Sequence, residues 1–124
     1  MYRKSQYPYF SLRINATLAA KLDYLASIHG RSSNKEIEQI ILSYITSWNE
    51  QHLFYDVTLD PNLYGSATIR KALRIPTDTM ELLKNIASYN GRSTNKEIEQ
   101  LVAHYICNWE TLNGLISISN TNNS

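Results

Sequence analysis

Gly30-Arg-Ser-Ser-Asn-Lys-Glu-Ile-Glu-Gln39 returns, 61 residues later, as Gly91-Arg-Ser-Thr-Asn-Lys-Glu-Ile-Glu-Gln100. The match extends outward in both directions. Leu12-Arg13-Ile14 falls on Leu73-Arg74-Ile75, and Tyr44-Ile45 and Trp48 fall on Tyr105-Ile106 and Trp109. Residues 10–48 align with 71–109 without a gap, and 18 of 39 positions are identical. That is an internal duplication. A solenoid needs about three repeats to close its core, so two copies point instead to a fused dimer. Neither copy alone is long enough to bury a core of its own.

Each copy reads as strand, helix, turn, helix. Tyr9-Phe-Ser-Leu-Arg-Ile14 alternates with period two, so Phe10, Leu12 and Ile14 share one face and Tyr9, Ser11 and Arg13 the other. Residues 68–75 repeat this less cleanly, with Lys71 on the nominally apolar face. A helix of about three turns follows. Its stripe is Leu18, Leu22, Leu25 and Ala26 in the first copy and Met80, Leu83, Ile86 and Ala87 in the second. Pro76 suits the first helical turn of copy two, and Gly30 and Gly91 stand where a left-handed residue stops the helix. The second helix opens with capping-box spacing at Ser33/Glu36 and Thr94/Glu97, with Ser32 and Ser93 as rival caps. Ile37, Ile40, Ile41, Tyr44, Ile45 and Trp48 then form a wide stripe, repeated as Ile98, Leu101, Val102, Tyr105, Ile106 and Trp109. A stripe of that width calls for burial against several neighbours.

One strand per copy cannot stand alone, because its backbone donors and acceptors need partners. Pairing strand with strand is the economical answer. The expected fold is mostly α with a two-stranded antiparallel β-ribbon, two units forming an intramolecular pseudo-dimer. The units span residues 7–50 and 67–112, with a linker at 51–66 and a tail at 113–124. The linker is no flexible tether: Leu53, Phe54, Tyr55, Val57, Leu59 and Leu63 are expected to dock on the domain or on a partner. The tail is uncharged and is expected to add a short extended segment or to fray.

The 124-residue chain is 43 % hydrophobic and 19 % charged, with a formal net charge of only +1. The charges are sorted, however. All twelve Lys and Arg lie within residues 1–35 and 70–96, which carry +5 and +4, while 36–69 and 97–124 carry five and three acids and no base. A near-neutral chain can thus present a basic face. No apolar run approaches the roughly 20 residues of a membrane span, and the N-terminus has no apolar segment of a secretory signal. The single cysteine, Cys107, fits a reducing cytoplasm. His29, His52 and His104 show no ligand spacing with one another or with Cys107, so neither metal nor cofactor is expected. No nucleophile–base–orienter set or phosphate-binding glycine loop occurs, which argues against an enzyme. Trp48 and Trp109 read as packing residues.

A period-two strand ending Leu-Arg-Ile, a helix, Gly-Arg-Ser-x-Asn-x-Glu-Ile and a second helix together resemble the ribbon-helix-helix family, in its Arc-like branch. The resemblance covers about 80 of the 124 residues. It implies a ribbon inserted into the major groove of double-stranded DNA, which admits such an element. The base-reading positions would be Tyr9, Ser11 and Arg13 in one strand and Arg70, Ala72 and Arg74 in the other. The N-termini of the second helices would clamp phosphates, at Ser33 and Asn34 and at Thr94 and Asn95, aided by the helix dipole. Arg3, Lys4, Lys35 and Lys96 are further candidate phosphate contacts. Arc carries a buried Arg–Glu–Arg triad. Here Arg31 with Glu36 and Arg92 with Glu97 keep two members, and Ile40 and Leu101 take the third place.

Two departures stand out: Ala72 offers only a methyl, and Tyr9 is an unusual reader. Since the strands differ, an asymmetric site is expected. The resemblance implies a sequence-specific transcription regulator, a repressor, with two chains side by side on adjacent subsites. It further implies a cytoplasmic bacterial protein, plasmid- or phage-borne. One alternative is a conjugation accessory protein of the TraY type bound at a transfer origin. Another is an antitoxin or other protein-interaction module, which the short uncharged tail disfavours.

Overall fold

The computed structural model describes residues 9–118. The element order is β1 (Tyr9–Asn15), α1 (Ala16–Ile28), α2 (Ser33–Gln51), α3 (Pro61–Tyr64), β2 (Thr68–Arg74), α4 (Thr77–Tyr89) and α5 (Thr94–Asn113). The described residues are mostly helical with one two-stranded antiparallel sheet, consistent with a ribbon-helix-helix unit. In the β1–β2 register Tyr9 faces Arg74, Ser11 faces Ala72 and Arg13 faces Arg70.

The inner face of the ribbon drops Leu12, Ile14 and Leu73 onto the helices, where they are fully buried with Leu18, Leu22, Leu83, Ile37 and Ile98. Lys71 does break the apolar face. It stays half-buried because its ammonium reaches Asp23 on α1 at 3.0 Å, which keeps the charged tip paired while the stem packs.

The helix boundaries follow local chemistry. Asn15 caps α1, its Oδ1 accepting from the Leu18 N–H at 2.9 Å. The corresponding residue of α4 is Pro76, which is the cap itself rather than a first-turn residue and makes no side-chain cap bond. Both first helices end alike. Gly30 and Gly91 take φ of +70°, and the N–H groups of Arg31 and Arg92 reach back to the carbonyls of Ala26 and Ala87 at 3.0 Å. Ser32 and Ser93 win the cap positions of α2 and α5, accepting from the N–H groups of Lys35 and Lys96.

Two carboxylates, Glu36 and Glu97, lie fully buried at the starts of these helices. Arg31 and Arg92 approach them at 3.1 and 3.6 Å. The rest of each shell comes partly from across the molecule: the Tyr105 hydroxyl bonds Glu36 at 2.7 Å, and the Tyr44 hydroxyl bonds Glu97 at 2.9 Å. His29 adds a contact to Glu36 at 2.8 Å, and Asn90, at the corresponding position, donates to Glu97. Burial first, and then the neighbouring carboxylate, push both tyrosines far above their ordinary range, so both stay neutral donors.

The linker is a strap. After α2 the chain turns through His52 in the left-handed region, then runs extended with alternate residues Leu53, Tyr55, Val57 and Leu59 packed on the core. Gln100 on α5 holds it by the backbone: its Nε2 donates to the Val57 carbonyl at 3.1 Å while its Oε1 accepts from the Val57 N–H at 2.5 Å. Phe54 and Leu63, expected to dock as well, remain more than half exposed, because they fall on the strap's outer alternation and on the rim of α3. The strap ends in α3, whose buried Tyr64 accepts from Lys21 at 3.1 Å. Lys21 in turn pairs with Glu110 at 2.7 Å. Trp48 and Trp109 are partly buried against the core.

Candidate nucleic-acid interface

The outer face of the ribbon carries the six side chains that the period-two reading assigns to it, and all six are exposed. They are not independent. The Arg70 guanidinium donates to Ser11 Oγ at 3.1 Å, and that of Arg13 to Thr68 Oγ1 at 3.2 Å. The Arg74 guanidinium lies 3.8 Å from the centre of the Tyr9 ring, within cation–π range. Tyr9 and Ser11 therefore hold arginines in place across the strands. Ala72 leaves the middle of the ribbon low and flat.

Arg13 and Arg70 sit directly opposite each other, and like charges in that relation repel. Neither is paired with a carboxylate among the described residues. An isolated fold gains nothing from such a face. A polyanion laid along it does, and guanidinium forks match phosphate or guanine acceptors geometrically.

The ribbon's outer edges are closed from outside. Asn95, at the start of α5, bonds the backbone of Arg13 on β1: Oδ1 accepts from the N–H at 2.7 Å and Nδ2 donates to the carbonyl at 2.9 Å. Asn34, at the start of α2, does the same to Arg74 on β2, at 2.7 and 3.0 Å. Each amide acts as one residue's length of an extra strand. This fixes the ribbon relative to both helix N-termini. It also satisfies edge groups that a two-stranded sheet otherwise leaves open.

Three of the side chains expected at phosphates make contacts within the fold. Asn34 and Asn95 are spent on the ribbon, and the Ser33 hydroxyl donates to Asp23. Thr94 is half-buried at the first position of α5. At each helix end the cap serine takes the third N–H by its hydroxyl and the fourth by its carbonyl. The N–H groups of Ser33 and Asn34, and of Thr94 and Asn95, open the two ends. Lys35 pairs with Glu38 at 3.2 Å, and Lys96 is exposed. Arg3 and Lys4 lie outside the described residues.

The asparagine clamp escaped the sequence reading. Its signal was present, in an Asn repeated at one position of both copies and in a ribbon with two open edges.

Residues 70–106, from β2 through most of α5, match the family model of the Arc-like DNA binding domain. This segment is similar to Arc-like DNA-binding domains. Searches of the curated proteins and of the solved structures gave no match. The Arc-like segment includes Arg70, Ala72 and Arg74 on the exposed ribbon face and Thr94 and Asn95 at the helix end. Among the described residues no helix is long and apolar enough to cross a membrane.

Proposed function

We propose that the chain is a sequence-specific transcription regulator, a repressor, that reads the DNA major groove with its two-stranded ribbon. In this reading residues 7–50 and 67–112 are two ribbon-helix-helix units joined by 51–66 into an intramolecular pseudo-dimer. The matched contacts at the 61-residue offset support the pseudo-dimer: Asn34 with Arg74 against Asn95 with Arg13, and Tyr105 with Glu36 against Tyr44 with Glu97.

The observation that carries the function is the outer ribbon face. Three arginines are held there by neighbouring side chains, and Arg13 and Arg70 repel each other with no carboxylate between them. Arg13, Arg70 and Arg74 read base edges, guanine best, through O6 and N7. Tyr9 and Ser11 position arginines and contact bases at the rim, and Ala72 packs on a thymine methyl. Phosphates are held at the N-termini of α2 and α5 by backbone N–H groups and the helix dipole rather than by the asparagine side chains. Lys35 and Lys96 add charge nearby. The two strands differ at two of the three reading positions, Tyr9 against Arg70 and Ser11 against Ala72, so the site is asymmetric, and two chains bind neighbouring subsites.

Selection of bound duplexes from a random pool, at two salt concentrations, tests this. The expected result is a short asymmetric motif, alone or in tandem, with affinity falling as salt rises. Binding no tighter to any selected sequence than to bulk DNA overturns it.

A further inference from the structure

The strap lies in a groove along α5, and the contacts that hold it have counterparts 61 residues away along α2. Gln100 grips the Val57 backbone and is 4 % exposed; its counterpart Gln39 is exposed. The Arg92 guanidinium is capped by the Phe54 ring at 4.0 Å and its side chain is 10 % exposed; its counterpart Arg31 is 36 % exposed. The Tyr44 hydroxyl serves both Glu97 and the Leu53 carbonyl, at 2.9 and 2.7 Å. Its counterpart Tyr105 meets Glu36. His104 stacks on Tyr55 at 3.6 Å, and its counterpart is the smaller Ser43.

Arg31, Gln39, Ser43 and Tyr105 line a single cleft of about 420 Å³, bounded on the far side by Tyr55 of the strap. Residues 114–118 do not follow the strap's course into it. His52 leaves α2 with φ +51° and ψ +46°, whereas Gly114 leaves α5 with φ +93° and ψ +163°. Residues 114–118 run instead toward α1. There the Ile116 N–H donates to Glu110 at 2.9 Å, and Ile116 and Ile118 lie beside Thr17 and Lys21.

We propose that this cleft is a binding site for an extended peptide segment of another protein, of the same chemistry as the strap. The segment has an aromatic residue to lie on Arg31 and a second large apolar residue next to it. A β-branched residue follows two positions on, its backbone gripped by Gln39. The strap is the template: Phe54, Tyr55 and Val57 make these three contacts in the filled groove, with acids Asp56 and Asp60 pointing outward. Ser43 in place of His104 leaves extra room, so the second residue is at least as large as tyrosine. A side-chain amide paired to extended backbone gives register without sequence demand, and the flanking pockets give selectivity. The site lies on the long helices rather than on the ribbon, so a partner held there does not compete for the outer ribbon face.

The probe is a synthetic, end-blocked peptide with the sequence of residues 52–60, added to the full-length labelled protein and followed by amide chemical shifts. A peptide of scrambled order is the control. The expected result is saturable shifts at the Gln39 side-chain amide, Ser43 and Ser47, with a midpoint on the order of 0.1–1 mM, since the free peptide lacks the tether that holds the strap. Gln39→Ala, an exposed change that leaves the fold intact, weakens binding by about tenfold or more, and Ser43→Trp abolishes it by filling the cleft. Three results overturn the assignment. One is no saturable shift, or equal response to the scrambled peptide. Another is shifts at the Gln100 side-chain amide and the Val57 N–H instead, which means the probe displaces the strap. The last is concentration-dependent self-association of the protein alone that Gln39→Ala removes, which makes a second copy the occupant.

Discussion

The side-chain amide of Asn95 and the backbone of Arg13 exchange two hydrogen bonds, at 2.7 and 2.9 Å, across 82 residues of sequence. A helix N-terminus thereby fixes the height and tilt of the strand residue whose guanidinium lies on the outer ribbon face. Asn95→Ala leaves the Arg13 N–H and carbonyl to solvent. At about 0.5–1.5 kcal/mol per hydrogen bond the expected cost is about 1–2 kcal/mol of folding stability, read by urea unfolding. Amide hydrogen exchange at Arg13 gives a sharper reading. Protection there collapses in Asn95→Ala and survives at Ile14, one residue further in. Equal loss at both positions would mean global destabilisation and not a local clamp. Asn34→Ala acts in the same way on Arg74.

Arg13→Ala and Arg74→Ala each lose about 1–3 kcal/mol of binding on a selected duplex and relax the preference at one base position. Ser11→Ala tests the support rather than the reader. It removes the acceptor 3.1 Å from the Arg70 guanidinium, so the preference assigned to Arg70 broadens although the arginine remains. Competition binding with single-base variants of the duplex measures all three. If the arginine variants lose equally on specific and random DNA, they touch phosphates only.

Much of this architecture was legible from the residues because it repeats. The period-two alternation of 9–14 sorted the ribbon's faces, and the paired glycines marked both helix ends. What the pattern missed was chemistry that joins distant residues. Nothing local distinguishes an asparagine that caps its own helix from one that grips a strand 82 residues away. The choice depends on which side of the helix the ribbon edge passes. Phe54 shows the same limit. An aromatic in an apolar linker reads as buried, yet the strap's alternation places it outward, over Arg92. The pairs Arg31–Glu36 and Arg92–Glu97 were visible as remnants of a triad, but tyrosine as the missing partner was not. Tyr44 and Tyr105 lie in the helical stripe and read there as apolar packing.

Lys21 and Glu110 form a pair with side chains only 7 % and 8 % exposed. Glu110→Gln removes the counter-charge and leaves a buried ammonium with neutral partners alone, the amide oxygen and Tyr64. Breaking such a pair costs about 3 kcal/mol, whereas replacing both members by apolar groups is close to neutral. Lys21→Met with Glu110→Leu should therefore recover most of the loss suffered by Glu110→Gln, in a comparison of urea midpoints. Because Glu110 also accepts from the Ile116 N–H, both variants loosen the tail. Hydrogen exchange at Ile116 separates that effect from the charge effect.

Alkaline pH tests the buried hydroxyls. Tyr44 and Tyr105 are shifted up from the ordinary value of 10.0, by burial first and by their carboxylate partners second. Burial lowers the Lys21 pKa, but Glu110 and Tyr64 outweigh it, so that group too sits above its ordinary 10.5. All three therefore hold their protons more tightly in the folded state than in the unfolded chain. Their contribution is complete below about pH 10 and falls as pH rises toward the folded values, because the unfolded chain releases its protons first. Burial also raises the Cys107 thiol above its ordinary 9.0, so stability should begin to decline near pH 9 and fall more steeply above about pH 10. Tyr44→Phe with Tyr105→Phe leaves Glu97 and Glu36 short of a donor and is expected to be less stable by about 2 kcal/mol near neutrality. Phenylalanine cannot titrate, so the gap between variant and wild type narrows above about pH 10. A gap that stays constant to the alkaline limit would show that these hydroxyls ionise no later in the fold than out of it.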